Sequence, residues 1–100
     1  MEIIFIYNRL YSITKKQLEA IKEKDYELIE ELTAERERLT GRICSILEYK
    51  NGRFGNKVIE RKVREITELV LDVDEDIKDA LMNELMEKTL EIQNLNLIKE

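Results

Sequence analysis

Apolar residues recur at alternating spacings of three and four along most of this chain. Over the first twenty or so residues the spacing produces two adjacent stripes. Their members are Ile4, Tyr7, Tyr11, Thr14, Leu18 and Ile21 in one stripe, and Ile3, Ile6, Leu10 and Ile13 in the other. Such spacing places apolar side chains on one side of a helix. The pattern predicts a first amphipathic helix over about residues 2–23.

A weak stop signal follows this segment at Lys22-Glu23-Lys24-Asp25. The lysines suit a helix C-terminus, and Asp25 can cap the next helix. The apolar spacing nevertheless continues through Ile21, Asp25, Leu28 and Leu32, so one continuous helix to about residue 50 is the alternative. We favour a break at Asp25 and a second helix over about residues 26–50, which Asn51-Gly52 would end.

The same spacing resumes at Ile59 and continues to Leu95, which predicts a third helix over about residues 57–97. Asp72 and Glu75 resemble a capping box, so this helix is either continuous or kinked or split near Asp72–Asp74. The chain of 100 residues contains no proline and three glycines, which favours helix throughout. We therefore predict an all-α fold, an antiparallel bundle of three long helices in a single domain over residues 1–100.

Charge and cysteine content exclude several classes of protein. The 22 acids and 17 bases give a net charge of −5, which argues against binding to nucleic acid or to membrane surfaces. No apolar run is long enough to span a bilayer, so no membrane insertion is expected. Cys44 is the single cysteine, so no disulfide can form within the chain, and a cytoplasmic location is expected.

Residues suited to catalysis or to metal binding are scarce. The chain has no histidine, which removes the commonest general base and zinc ligand. Asp72, Asp74 and Asp76 resemble the start of a calcium-binding loop, but Ile77 stands where that loop needs glycine. We predict no catalytic residue, no metal site and no cofactor.

Basic residues concentrate between Lys50 and Arg64, where Glu60 is the one acid. The bases are Lys50, Arg53, Lys57, Arg61, Lys62 and Arg64. One end of the bundle should be locally positive. The cluster is either a solvated face, an anion site or a contact for an acidic partner.

The third helix carries more apolar surface near its C-terminus than one core seam requires. Two adjacent stripes form there, Ile77, Leu81 and Leu85 beside Met82, Met86 and Leu90. A C-terminal tail or the mate of a homodimer could cover the methionine stripe. The other interpretation is a groove for a foreign amphipathic helix, to which flexible methionine side chains adapt.

Two segments resemble the FliT family of flagellar export chaperones. The first is Lys24-Asp25-Tyr26-Glu27-Leu28-Ile29 leading to Glu35-Arg36-Glu37-Arg38-Leu39, and the second runs from Leu71 to Leu81. The resemblance implies an antiparallel bundle that keeps the filament-cap protein soluble before secretion and delivers it to the export apparatus. The six residues of the two stripes would then bind an amphipathic helix of that secreted flagellar protein.

A weaker resemblance is to the all-helical chorismate mutases, at Ile21, Asp25, Leu28, Arg36, Leu39, Tyr49-Lys50 and Glu60-Arg61. It implies an enzyme that holds a dicarboxylate with Arg36 and Lys50. Leu18 stands where that family has an arginine, and Arg36 is displaced by one residue. We therefore expect no enzyme activity, and keep a structural, dimerising bundle as a third interpretation.

Overall fold

The computed structural model describes residues 2–49 and 55–99, with side chains described up to residue 93. It contains three α-helices: α1 (Glu2–Glu23), α2 (Tyr26–Tyr49) and α3 (Lys57–Lys99). No strand occurs in the described ranges, so the prediction of an all-α fold with three helices is confirmed.

A two-residue turn separates α1 from α2. Lys24 has a φ of 59°, in the left-handed region, which ends the helix. The Asp25 backbone N–H donates to the Ala20 carbonyl at 2.9 Å, and that of Lys24 donates to the Ile21 carbonyl at 3.1 Å. This pair of bonds is the Schellman motif, which satisfies the last carbonyls of a helix. The alternative of one helix continuous through Asp25 is therefore wrong.

Asp25 also starts α2. Its Oδ1 accepts a hydrogen bond from the Leu28 backbone N–H at 3.2 Å, the contact expected of an N-cap. Arg42 near the end of α2 forms an ion pair with Glu2 at the start of α1. This contact shows that the chain returns along α1 after the turn. α1 and α2 thus form an antiparallel pair.

The third helix is continuous. Asn56 caps it, with Oδ1 accepting hydrogen bonds from the Val58 N–H at 2.7 Å and from the Ile59 N–H at 3.3 Å. No break occurs near Asp72–Asp74, so the predicted possibility of a split there is wrong. The 43 residues correspond to about 64 Å of helix. α3 therefore extends over the whole 66 Å long axis of the molecule.

The hydrophobic core lies towards one end of this rod. α1 packs against both α2 and α3, whereas the Cα atoms of α2 and α3 in the described ranges stay more than 8 Å apart. The core side chains are Ile3, Ile6, Leu10 and Ile13 from α1, Leu39 and Ile43 from α2, and Ile59, Val63, Ile66 and Val70 from α3. The opposite end has far fewer buried side chains.

A polar network adjoins the core and joins all three helices. Gln17 of α1 is buried, donates through Nε2 to Thr33 Oγ1 at 3.3 Å, and accepts from Arg36 Nη1 at 3.1 Å. The guanidinium of Arg36 also donates to both carboxylate oxygens of Asp74 on α3, at 2.6 and 2.7 Å. These bonds to Asp74 raise the pKa of Arg36.

Replacing Lys24 with glycine should stabilise the protein by about 0.5–1 kcal/mol. A side chain in the left-handed region is strained by its Cβ, and glycine removes that strain. The change is read from the midpoint of urea unfolding at an unchanged m-value.

Lys22→Gly is the matched control, because Lys22 lies within the last turn of α1. It should destabilise the protein by about 0.5–1 kcal/mol. A Lys24→Gly variant that loses stability by a similar amount would contradict the assignment of this turn.

Candidate protein-binding surface

The C-terminal part of α3 extends beyond the turn between α1 and α2. Lys24 in that turn lies 3.7 Å from Glu87, measured from Nζ to Oε2, and the Tyr26 hydroxyl donates to Glu84. The ammonium of Lys88 lies 5.7 Å from the centroid of the Tyr26 ring. The rest of α3 continues past these contacts for about 18 Å.

The six residues predicted to bind a partner lie on α3 between Ile77 and Leu90, before, among and just after these contacts along the helix. Ile77 is half-buried. The other five are between 48% and 65% exposed: Leu81, Met82, Leu85, Met86 and Leu90. Both methionines are exposed, so no part of the described chain covers them.

These residues form two stripes with different orientations. Successive helical residues are rotated by about 100°, so Ile77, Leu81 and Leu85 continue the buried stripe of Ile66 and Val70. Met82, Met86 and Leu90 lie on the side of α3 that faces away from α1. One guest helix packs along one stripe at a time, because a helix–helix contact covers about 100° of the surface.

The six residues lie along a single helix and are not part of two depressions on the protein surface. A depression of about 520 Å³ lies elsewhere, with Leu18 of α1 and Val73 of α3 in its lining. A second one, of about 270 Å³, lies between Lys22 and Glu84. The arrangement of the six residues suits an elongated partner such as a helix rather than a small molecule.

A charged edge borders the apolar surface. The hydrogen bond that Tyr26 donates to Glu84 lowers the pKa of that carboxyl group, and nearby Lys88 and Lys24 act in the same direction. The same bond raises the pKa of the Tyr26 hydroxyl. The start of α2 is thus attached to α3 by an exposed polar contact, beside the apolar stripes.

Arg36, the candidate cation for a chorismate mutase-like site, is already engaged. Its guanidinium contacts Asp74 through both terminal nitrogens and Gln17 through one of them. The second candidate, Lys50, lies outside the described residues. The structure therefore does not present Arg36 as a free ligand for a dicarboxylate. Sequence reasoning had proposed no partner for Asp74.

The basic cluster is only partly within the described residues. Lys57, Arg61, Lys62 and Arg64 are exposed on the first turns of α3 and form no ion pair within the described ranges. Lys50 and Arg53 lie outside those ranges. An anion or an acidic partner at this end stays a prediction.

The helices lack the features of a membrane span. In residues 2–49 and 55–99, none combines the length and the apolar composition needed to cross a bilayer.

Comparison with known proteins gives one result. A family model described as "Flagellar protein FliT" matches residues 4–98, which include nearly all of the three helices. No curated protein and no solved structure gives a significant match.

Replacing Tyr26 with phenylalanine should raise the pKa of Glu84 towards its ordinary value, because the hydroxyl that stabilises the carboxylate is lost. Titration of the Glu84 side chain by NMR measures this change. A carboxyl group with a lowered folded pKa stabilises the protein above its unfolded pKa, and this contribution disappears as the pH falls through the folded pKa.

The stability difference between the native protein and Tyr26→Phe should therefore be present at neutral pH and vanish in acid. Glu84→Gln is the control, since without the carboxyl group Tyr26→Phe should cause no pH-dependent difference. An unchanged Glu84 titration in Tyr26→Phe would show that the contact is not formed in solution.

Proposed function

Because the match extends over nearly its whole length, the chain belongs to the FliT family of flagellar proteins, and we propose that it is an export chaperone. Its client is a secreted flagellar subunit of the filament-cap type. The chaperone holds an apolar, amphipathic helix of this client in the cytoplasm until export. It then passes the client to the export apparatus, its second partner.

The observation that supports this proposal most is the uncovered apolar end of α3. Large apolar side chains on a soluble protein are normally scattered, and a continuous patch indicates a binding surface for another protein. Here Met82, Met86 and Leu90 follow one another at four-residue spacing on a helix face that no part of the described chain covers. Methionine side chains adjust to guests of different shape.

The geometry also suits a client that has to be released. A helix laid along one face of α3 removes apolar area from water, with a gain of about 25 cal/mol per Å². Part of this gain is offset by the loss of freedom on association and by ordering of the client. A contact with one helix face therefore gives moderate affinity, which permits transfer at the export apparatus.

Replacing Met82 and Met86 together with aspartate should abolish binding of the cognate filament-cap protein, because two carboxylates would be buried against an apolar helix. Binding is measured by titration calorimetry with the full chain. The circular dichroism spectrum should stay helical, since both side chains are more than half exposed. Undiminished binding would exclude both residues from the site.

Phe5→Asp with Val58→Asp is the matched control. Both residues are exposed, at 66% and 71%, and lie near the other end of the bundle. This variant should bind the cap protein as the native chain does. Equal loss of binding in both variants would contradict the location of the site on α3.

A structural homodimer would give a different result. If a second copy covers Met82 and Met86, sedimentation should show a tight dimer that Met82→Asp/Met86→Asp dissociates. The chaperone proposal instead expects the client to bind the native chain at the methionine stripe in a one-to-one complex.

A further inference from the structure

The outer face of α3, opposite its buried residues, is divided into three blocks along its length. All members of the blocks are exposed. They are the basic residues Lys57, Arg61 and Arg64, the acidic residues Glu65, Glu68, Asp72, Glu75 and Asp79, and the apolar residues Met82, Met86 and Leu90. From Glu65 to Leu90 the spacing is three or four residues throughout, so the acidic and apolar blocks form one line.

The acidic block is not compensated within the described chain. None of its five carboxylates forms an ion pair with a described residue. Neighbouring members are three or four residues apart, a separation at which like charges destabilise a helix. The block extends over about 21 Å and borders the apolar block directly.

We propose that this face of α3 binds a client helix that carries two matching blocks. An apolar stripe of the client packs on Met82, Met86 and Leu90, and a neighbouring stripe of lysine or arginine lies along Glu65 to Asp79. The inference rests on the proposed function and specifies the chemistry of the client.

A second copy of the chain does not fit both blocks. In a parallel pair in register, each acidic block would face the other acidic block. In an antiparallel pair matched at Met86, Asp79 would face residue 93 and Asp72 would face residue 100. The chain from 93 to 100 contains one base, Lys99. Charge complementarity therefore favours a foreign, basic helix over self-association.

The two blocks have separate roles in recognition. Three apolar side chains give little affinity once the costs of association are offset, so ion pairs next to them add a second source of affinity. The acidic block adjoins the apolar block only at its N-terminal end. A guest helix that carries a basic block at one end of its apolar stripe is therefore bound in one direction along α3.

The test uses two synthetic helical peptides that bind the full chain. Each peptide has one helix face made of eight positions that are three or four residues apart. The first three of these positions are leucine in both peptides, and the next five are lysine in one peptide and glutamate in the other. The lysine peptide should bind about tenfold more tightly at low salt. At about 1 M salt, where the Debye length falls to about 3 Å, the two affinities should converge.

A charge-reversed protein sharpens the test. Glu68→Lys with Asp72→Lys and Glu75→Lys should reverse the preference, so that the glutamate peptide binds more tightly. The matched control is Glu30→Lys with Glu37→Lys and Glu48→Lys, three exposed acids of α2 that form no ion pair in the described ranges. It changes the net charge equally and should keep the preference for the lysine peptide.

Three results would overturn the inference. In the first, the two peptides bind equally tightly at low salt. In the second, the triple variant of α3 and the triple variant of α2 change the peptide preference equally. In the third, the triple variant of α3 changes the self-association of the protein and leaves its peptide preference unchanged.

The same experiments distinguish a failure of this inference from a failure of the proposed function. If Met82→Asp/Met86→Asp abolishes cap-protein binding while the peptides bind equally, the chaperone function stands and the basic client stripe is wrong. If the lysine peptide is preferred but the cap protein does not bind, the function is wrong and the charge inference stands.

Discussion

Both α2 and α3 bury their apolar faces against α1, and their own described backbones stay apart. This arrangement requires α1 to be apolar on two sides, which explains its two adjacent stripes. It also limits how much of α3 can be covered, because α1 has 22 residues and α3 has 43. The last turns of α3, beyond Lys88, therefore have no α1 beside them. Met82 and Met86 are exposed for a second reason, because they lie on the side of α3 that faces away from α1.

The network of Gln17, Arg36 and Asp74 lies where the apolar core gives way to this open end. The Arg36 and Asp74 side chains are 27% and 32% exposed, so water screens the pair and its net contribution to stability is modest. Its effect on geometry is larger. A slip of α2 along α3 by one turn would move the partners about 5.4 Å apart, so the two-bond contact selects one register of α2 against α3.

The helices and most of their ends were predictable, because apolar residues at spacings of three and four indicate a buried helix face even when the element that packs on it is unknown. The break at Asp25 has a weak signal in the sequence, since a lysine rather than a glycine adopts the left-handed conformation there. The Arg36–Asp74 pair leaves a partial signal in the sequence. Arg36 interrupts the apolar stripe between Leu32 and Leu39, and Asp74 lies at the edge of the stripe that runs through Val73 and Ile77.

Opposite charges within or beside apolar stripes suggest a pair, but only the relative register of α2 and α3 shows that Arg36 and Asp74 meet. That register depends on contacts distant in sequence, which one sequence does not reveal. Excess apolar surface near Met82 was likewise predictable from the width of the stripes, and the resemblance to the FliT family is confirmed. The partner that binds this surface was not predictable, because the sequence of an exposed helix face gives the chemistry of that face and not the identity of its partner.

The turn at Lys24 and Asp25 has a mechanical consequence. Two residues carry both the end of α1 and the cap of α2, so these helices cannot separate at this end without breaking backbone hydrogen bonds in both. α3 is attached there by exposed side-chain contacts, Tyr26 with Glu84 and Lys24 with Glu87. Separation of α1 from α2 at this end therefore requires main-chain hydrogen bonds to break, whereas displacement of α3 from the turn requires only the loss of these side-chain contacts.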